Sequence, residues 1–395
     1  MTINDLPKGF RVGTTAACFK KAGRDDLGLI VSDNPCVVAG LFTQNKFKAA
    51  PVQVCQDIIK KYGKARAVVA NSGQANACTG SEGLDNCNKS RQMISKLIGI
   101  PVDEILPLST GVIGVQLKMD LWEKAVPALV DNLGNGNVET FTRAFMTTDS
   151  FPKFHSENVS VSGGTVRLSV MAKGAGMICP NMATMLCVVL TDAKIDSKKW
   201  QDMFLHSVDK TFNRVTVDGD TSTNDSIIGL ANGASEIVLK DNDYSVLEEA
   251  LTQILSKVSY MLVKDGEGSS KVIHINVTGA IDDKQAEIVA RSVGRSQLVK
   301  TAIYGQDANW GRIVTAIGYS GADYDSNKVK LKLCGIERFS NGCPVNNDKE
   351  EELSKLLKEH DINVDISLGD GSGTYNLKSS DLGHEYVSLN ADYRS

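Results

Sequence analysis

No stretch of this sequence is apolar for the roughly 20 residues that a membrane-spanning helix needs, and positive charge is not in excess. The 43 Lys and Arg residues are outnumbered by 47 Asp and Glu residues, so the formal net charge is -4. These absences argue against a membrane protein and against a partner such as nucleic acid. We therefore expect a small-molecule substrate.

Cysteine spacing gives no sign of a metal site or of a disulfide framework. The nine cysteines are an odd number, form no CxxC pair, and several stand in apolar contexts, as Cys36, Cys55 and Cys187 do. Reduced thiols of this kind are typical of a cytosolic protein. The first ten residues, MTINDLPKGF, lack the apolar segment of a signal peptide and the Arg-rich pattern of a transit peptide. We expect a cytoplasmic protein with no bound metal or cofactor.

Three common catalytic or ligand-binding motifs are missing as well. The histidines fall in no pattern typical of a Ser-His-Asp triad; they stand at positions 155, 206, 274, 360 and 384. The GDGSGTY segment has the glycines of a dinucleotide fingerprint but leads into a predicted loop, where the fingerprint needs a helix. The DGDTSTNDS segment is rich in aspartate, yet Thr223 and Gly229 stand where a calcium loop needs Gly and Glu. We interpret it as a polar loop that could face a substrate.

The sequence does contain alternating strand and helix patterns. LGLIVSD and CVVAGLFT flank Asn34-Pro35 and predict two strands joined by a turn, PVQVCQDIIKKYG predicts a helix, and ARAVVA predicts a strand. A capping box over residues 245–248 predicts the start of a further helix. The chain of 395 residues is long enough for two domains. A polar break at Asp282-Asp283 suggests the division into 1–280 and 281–395.

The most informative stretch is residues 166–192, VRLSVMAKGAGMICPNMATMLCVVLTD. Residues 185–190 predict a strand buried on both faces, and the glycines after Lys173 predict a loop. Thr184 therefore lies where the loop meets the core. If its hydroxyl attacks the preceding carbonyl, an N-to-O acyl shift and hydrolysis free an α-amino group of pKa about 7.7 to 8, which can act as base for the same hydroxyl. Alternatively, Thr184 is a β-branched residue that only begins a strand.

A family resemblance favours the first interpretation. KGAGMICPNMATML resembles the cleavage motif of the ArgJ family, the glutamate/ornithine N-acetyltransferases of arginine biosynthesis. Further similar segments extend over residues 71–395, and they are NSGQANACTG, DGEGSSK, SQLVKTAIYGQDANWGRIV and the tail HEYVSLNADYRS. Gln74 departs from the family pattern, which has Asn at this place. The resemblance implies self-cleavage between Ala183 and Thr184 into mature chains 1–183 and 184–395, with Thr184 as the acyl-accepting nucleophile.

The resemblance also implies roles for residues whose own signals are weak. Thr110 and Gly111 of the STG segment would form the oxyanion hole, through a hydroxyl and a backbone N–H; by itself, STG is typical of a turn. Glu267 of DGEGSSK would bind substrate, although a Gly-flanked acid is also typical of a solvated turn. The remaining substrate-binding residues that the resemblance implies are Thr147, Lys173, Thr184, Asn390 and Ser395.

The implied fold is an αββα-type sandwich, as in DmpA and ArgJ proteins, with a smaller C-terminal α/β domain that completes the substrate site. The implied activity is acetyl transfer from N2-acetylornithine to glutamate in a heterotetramer of two α and two β chains, and some family members also use acetyl-CoA as donor. Two alternatives stay open. An N-terminal-nucleophile amidase or aminopeptidase would release free acetate without an acceptor amine, and a non-catalytic amino-acid-binding protein would stay uncut.

Overall fold

The computed structural model describes residues 5–19, 23–179, 185–346 and 348–392. They form a mixed α/β structure on two β-sheets. The strands are β1 (Phe10–Thr15), β2 (Leu27–Phe42), β3 (Lys64–Asn71), β4 (Ile105–Ser109), β5 (Lys153–Val161), β6 (Gly164–Lys173), β7 (Leu186–Thr191), β8 (Val215–Thr216), β9 (Ser226–Ala231), β10 (Val272–Ala280), β11 (Lys330–Leu333), β12 (Ile336–Ser340), β13 (Cys343–Pro344), β14 (Asp361–Ser367) and β15 (Gly373–Ser380). The helices are α1 (Ala50–Tyr62), α2 (Gly80–Ile98), α3 (Met119–Asp131), α4 (Val138–Phe145), α5 (Ser197–Asp209), α6 (Asp241–Lys264), α7 (Asp283–Arg295), α8 (Gln297–Tyr304), α9 (Trp310–Gly318), α10 (Glu350–Leu356) and α11 (His384–Asp392). The predicted α/β class is confirmed.

The first sheet has eight strands in the order β4-β3-β2-β9-β7-β6-β5, with β1 paired to β2. At its centre lie β7, LCVVLT, and β9, SIIGLA, which are parallel and buried at every residue. Unbroken apolar strands of this kind need cover on both faces. Helices α1 and α4 supply it on one face, and α5 and α6 supply it on the other.

Strand β2 contradicts one prediction. Residues 27–42 form a single strand of 16 residues and not two strands joined by a turn at Asn34-Pro35. The register of β2 against β3 shifts between Val31 and Cys36, and the dipeptide lies exposed in that irregularity. Proline has no N–H to donate and is tolerated at a bulge. The strand therefore continues, pairing with β1 before the bulge and with β9 after it.

The second sheet has seven strands in the order β13-β12-β11-β14-β10-β15-β8, and helices α7 to α10 pack against it around one apolar core. Its strands β8 and β10 lie within residues 1–280 and its other strands lie after residue 280, so this sheet includes residues from both sides of the predicted domain boundary. The division into domains 1–280 and 281–395 stays a prediction. Within the described ranges, no helix is both long enough and apolar enough to cross a bilayer.

Helix α6 lies with its apolar face on the first sheet, through Leu247, Leu251 and Leu255 among others. It begins at Asp241, before the predicted capping box at 245–248, so that prediction is wrong. The helix starts earlier because Asp243 accepts the N–H of Lys240, the residue just before the helix, at 2.8 Å. Asp243 also accepts the N–H of Ser162 from the β5–β6 turn at 2.8 Å. Glu267, which follows the helix, donates its N–H to the carbonyl of Ala175 in the loop after β6.

Candidate active site

A pocket lies where β4 and β6 end and where β7 and β9 begin. The predicted site residues that line it are Thr110, Gly111, Thr147, Lys173, Glu267 and Asn390. Ala183, Thr184 and Ser395 lie outside the described residues. Met185 and Leu186, which follow Thr184 in the sequence, line the same pocket. Residues far apart in the chain are thus brought together, while the role of each one stays a prediction.

Lys173, the last residue of β6, carries the positive charge among the described pocket-lining residues. Its Nζ donates to Thr147 Oγ1 at 2.9 Å and to Thr110 Oγ1 at 3.3 Å. The side chain is buried, and burial lowers the pKa of its ammonium, although the carboxylate of Asp149 acts in the opposite direction. A buried cation next to two hydroxyls is suited to binding the carboxylate of a small molecule.

Thr110 and Gly111 form a turn directly after β4. Gly111 has a φ of +131°, and a Cβ there would lie 2.3 Å from the carbonyl carbon of Gly73, so glycine is required. Its N–H donates to no acceptor within the described part of the chain. Thr110 Oγ1 accepts from Lys173, which leaves the hydroxyl proton available to another acceptor. Two donors fixed in this way are what an oxyanion hole requires.

Gln74, the departure from the family pattern, is buried in the loop between β3 and α2. Its Nε2 donates to the carbonyl of Gln116 at 3.2 Å, and its Oε1 accepts the N–H of Lys118 at 3.2 Å. Ala75 of the same loop lines the pocket. The amide side chain at position 74 therefore fastens this loop to the segment before α3.

Glu267 is half-buried, which differs from the solvated turn that its local sequence would suggest. Its N–H donates to the carbonyl of Ala175 at 2.8 Å, and its Oε2 accepts from Asn390 Nδ2 at 2.8 Å. Gly176 faces the carboxylate so closely that a Cβ there would lie 2.4 Å from Oε2. Contacts from the loop after β6 and from α11 therefore hold the carboxylate in the pocket.

Asp225 is a pocket residue that the sequence analysis did not single out. It lies immediately before β9, is 2% exposed, and its Oδ2 has no hydrogen-bond partner among the described residues. Burial raises the pKa of this carboxyl well above its usual range, and Ser222 and the charge of Lys173 oppose this only in part. The acid-rich DGDTSTNDS segment contained the signal. Its polar composition could not reveal that one of its acids is buried.

A buried ion-pair network beside the pocket was also not predicted. Lys153 Nζ lies 2.7 Å from Asp149 Oδ1 and 2.5 Å from Asp265 Oδ2. The side chains of Lys153 and Asp149 are 0% exposed, and that of Asp265 is 4% exposed. No local charge pattern indicates the network, because Lys153 and Asp265 are 112 positions apart.

The chemistry available in the pocket involves hydroxyls, one cation and carboxyl groups. None of the five histidines lines it, and the described residues include no group of three or more His, Cys, Asp or Glu side chains that could hold a metal ion. Acyl transfer to a hydroxyl in this pocket therefore needs a base other than imidazole. An α-amino group, whose ordinary pKa is about 7.7 to 8, is such a base.

Comparison with known proteins identifies the family. A model of the ArgJ family matches residues 11–395. The chain belongs to the ArgJ family. The protein named Arginine biosynthesis bifunctional protein ArgJ from Nitratidesulfovibrio vulgaris is 57% identical over 389 residues, which are 98% of this chain and 99% of that protein. The protein of the same name from Geobacter sulfurreducens is 44% identical over 393 residues, again 98% and 99% of the two chains. The family predicted from the motifs is confirmed.

A solved ArgJ structure is similar over part of the fold. The crystal structure of Arginine biosynthesis bifunctional protein ArgJ from Bacillus halodurans is 40% identical, with a TM-score of 0.50. The match covers 52% of this chain and 98% of that chain. That solved chain is therefore about half as long as this one, and the likeness supports the α/β class of the ArgJ fold.

Proposed function

We propose that this ArgJ-family chain transfers an acetyl group from N2-acetylornithine to glutamate through an acetyl ester on Thr184. Its family makes it an acyltransferase of arginine biosynthesis, since its near full-length relatives carry that pathway in their name. The observation that carries the proposal is the pocket in which Lys173 bonds to Thr110 and Thr147. Met185, the residue after Thr184, lines that pocket.

The charges of the pocket fit those of the two substrates. Both N2-acetylornithine and glutamate carry an α-carboxylate, for which Lys173 offers a cation. The ornithine side chain ends in an ammonium group, and the carboxylate of Glu267 offers the opposite charge. Thr147 and Asn390 add neutral hydrogen-bonding groups that tolerate either side chain. Ser395 is a further contact that the family resemblance implies.

Covalent transfer lets the two amines use one pocket in turn. Cleavage between Ala183 and Thr184 would free the α-amino group that takes the hydroxyl proton of Thr184. The Thr184 oxygen then attacks the acetyl carbonyl, and the developing oxyanion accepts hydrogen bonds from the Thr110 hydroxyl and the Gly111 N–H. Collapse of the adduct breaks the amide, and the leaving nitrogen takes the proton held by the α-amino group, so that ornithine is released as an amine. The amine of glutamate attacks the ester and leaves as N-acetylglutamate, which restores the Thr184 hydroxyl.

The remaining parts of the proposal rest on the family resemblance. We propose mature chains 1–183 and 184–395 that assemble as two α and two β chains, within a cytoplasmic enzyme that carries no bound cofactor. Residues 1–280 would form the nucleophile domain, and 281–395 would complete the substrate site. The relatives are named bifunctional, and some family members also use acetyl-CoA as donor. We therefore propose acetyl-CoA as the second acetyl donor to test with glutamate.

The test is mass spectrometry under denaturing conditions. Incubation with N2-acetylornithine alone should add one acetyl mass to the chain that begins at Thr184, and glutamate should then remove it as N-acetylglutamate. Thr184→Ala should stay a single chain and remain unlabelled, because it lacks both the attacking oxygen and the acyl acceptor. An active protein of a single full-length mass, or intersecting double-reciprocal lines without a trapped acetyl chain, would contradict the proposal. Free acetate formed without glutamate would indicate an amidase instead.

A further inference from the structure

Asp149 occupies a central place beside the pocket although it does not line it. Its Oδ2 accepts the N–H of Thr147 at 2.9 Å, and its Oδ1 accepts the N–H of Gly174 at 2.6 Å. Lys173 Nζ and Thr147 Oγ1 are 2.9 Å apart. Because Gly174 directly follows Lys173, the Asp149 carboxylate is hydrogen-bonded to the backbone next to Lys173 and to the backbone of Thr147 itself. The two residues come from different segments of the chain, and Asp149 links them.

The same carboxylate is itself anchored from the far side. Lys153 Nζ bridges Asp149 Oδ1 and Asp265 Oδ2, and Asp265 also accepts the N–H of Ser150 at 2.9 Å. Asp265 stands at the end of α6, two residues before Glu267. The network therefore connects the part of the pocket that holds the cation to the part that holds the acid.

Charge as well as position depends on Asp149. The charged groups around Lys173 are Asp149, Lys153, Asp225 and Glu267. Burial lowers the pKa of Lys173, and Asp149 is the strongest of the groups that act against burial. Burial by itself would raise the pKa of Asp149, but the charges of Lys173 and Lys153, together with the hydrogen bonds from Lys153 and from the N–H of Thr147, outweigh burial and lower that pKa to about 2. The surroundings of Asp149 therefore favour its ionised form.

We propose that Asp149 is a positioning residue of the transfer reaction, which fixes Lys173 against Thr147 and keeps Lys173 charged for the substrate carboxylate. This inference rests on the proposed function, in which Lys173 binds that carboxylate. Lys173 and Lys153 together compensate the buried carboxylates of Asp149 and Asp265, so the cluster of four side chains has no net charge. Geometry held in this way by residues behind a site is what a reaction that tolerates little misplacement requires.

The substitution Asp149→Asn tests this, since it removes the charge and keeps the shape and one oxygen acceptor. The Asp149 charge raises the pKa of Lys173 and so opposes the effect of burial. Without that charge, Lys173 should lose its proton at a lower pH. The alkaline limb of the pH profile of kcat/KM for N2-acetylornithine should therefore move to lower pH by about one unit. Loss of carboxylate binding should also raise KM by about tenfold while kcat changes less.

Asp243→Asn is the matched control. Asp243 is likewise a buried aspartate that accepts two backbone N–H groups. It stands at the start of α6, whereas Asp265 follows the other end of the same 24-residue helix. The control should lose stability without any change in the alkaline limb. A purely structural role for Asp149 would make the two variants behave alike.

A readout that does not depend on acetyl transfer completes the test. Brief acetylation with acetic anhydride at a series of pH values, followed by peptide mass spectrometry, reports the fraction of Lys173 that is unprotonated. We expect Lys173 of Asp149→Asn to be labelled at a lower pH than that of the unaltered protein. Should Asp149→Asn fail to fold, Asp265→Asn should give a smaller shift in the same direction. Unchanged Lys173 labelling in the folded variant overturns the inference, whereas an unaltered protein that transfers no acetyl group overturns the proposed function alone.

Discussion

Gly176→Ala is a steric probe of the Glu267 carboxylate. A Cβ at Gly176 would lie 2.4 Å from Glu267 Oε2, whereas ordinary contact begins at 3.4 Å. The carboxylate must therefore move by about 1 Å, the difference between those two distances. The 2.8 Å hydrogen bond from Asn390 would lengthen to as much as about 3.8 Å, beyond hydrogen-bonding range. A misplacement of 1 Å in an active site can lower the rate by about 100-fold. We therefore expect kcat/KM for N2-acetylornithine to fall by about 10-fold to 100-fold.

Stability should change little in this variant. The backbone of Gly176 is outside the left-handed region, and the atoms that the new methyl group meets are the end of a flexible side chain. Alanine in place of glycine at a compatible position also stabilises by about 0.4 to 1 kcal/mol through the unfolded state. Activity and stability should therefore separate, which distinguishes a displaced carboxylate from a disrupted fold.

The assay is the initial rate of N-acetylglutamate formation, expressed per cleaved chain as counted by denaturing mass spectrometry. Gly318→Ala is the control, because no heavy atom beyond its own stretch of helix lies within 4 Å of the place where a Cβ would stand, and its φ is not positive. Thermal unfolding of all three proteins shows whether the fold is intact. If Gly176→Ala keeps the kcat/KM of the unaltered protein, the position of the Glu267 carboxylate is not critical and the reasoning fails.

Two further predictions concern single side chains of the pocket. Thr110→Ala should lower kcat of the cleaved enzyme by about 100-fold to 1000-fold, the usual cost of one oxyanion donor, and steady-state rates that stay unchanged would remove Thr110 from the oxyanion hole. Asp225→Asn should make stability less dependent on pH, as measured by urea unfolding at pH 5 and pH 8. Burial raises the folded-state pKa of Asp225, so its contribution to stability is fully present below the unfolded pKa of about 3.9 and is lost as the pH rises towards the folded pKa. An equal loss of stability between pH 5 and pH 8 in both proteins would show that Asp225 is not the group responsible.

Local patterns were enough for the elements that frame the site. The apolar run at 185–190 and the segment ARAVVA correspond to β7 and to β3. The sequence pattern succeeds in these places because a short, unbroken apolar run indicates a buried strand without any knowledge of what packs against it. It failed at Asn34-Pro35, where a bulge that depends on two partner strands lets β2 continue through a dipeptide typical of turns.

The site itself was less accessible to sequence reasoning. Thr147 has no local signal, and only the family resemblance pointed to it before its hydroxyl was found 2.9 Å from Lys173 Nζ. Asp149 and Asp225 were missed because their importance lies in burial and in partners from other segments. The sequence does not distinguish an aspartate exposed to water from one that is buried next to a lysine.

The interleaving of the first sheet has a practical consequence. Strands β9 and β7 come from residues after position 184, and they lie between β2 and β6, which precede it. A cut between residues 183 and 184 would leave the second fragment inserted in the sheet of the first, paired over six residues with β2 and over six with β6. Pulling the fragments apart would bare several strand edges at once, which is both costly and prone to aggregation. The nicked protein should therefore resist dilution and run as one species on a native gel, and each half produced alone should be insoluble.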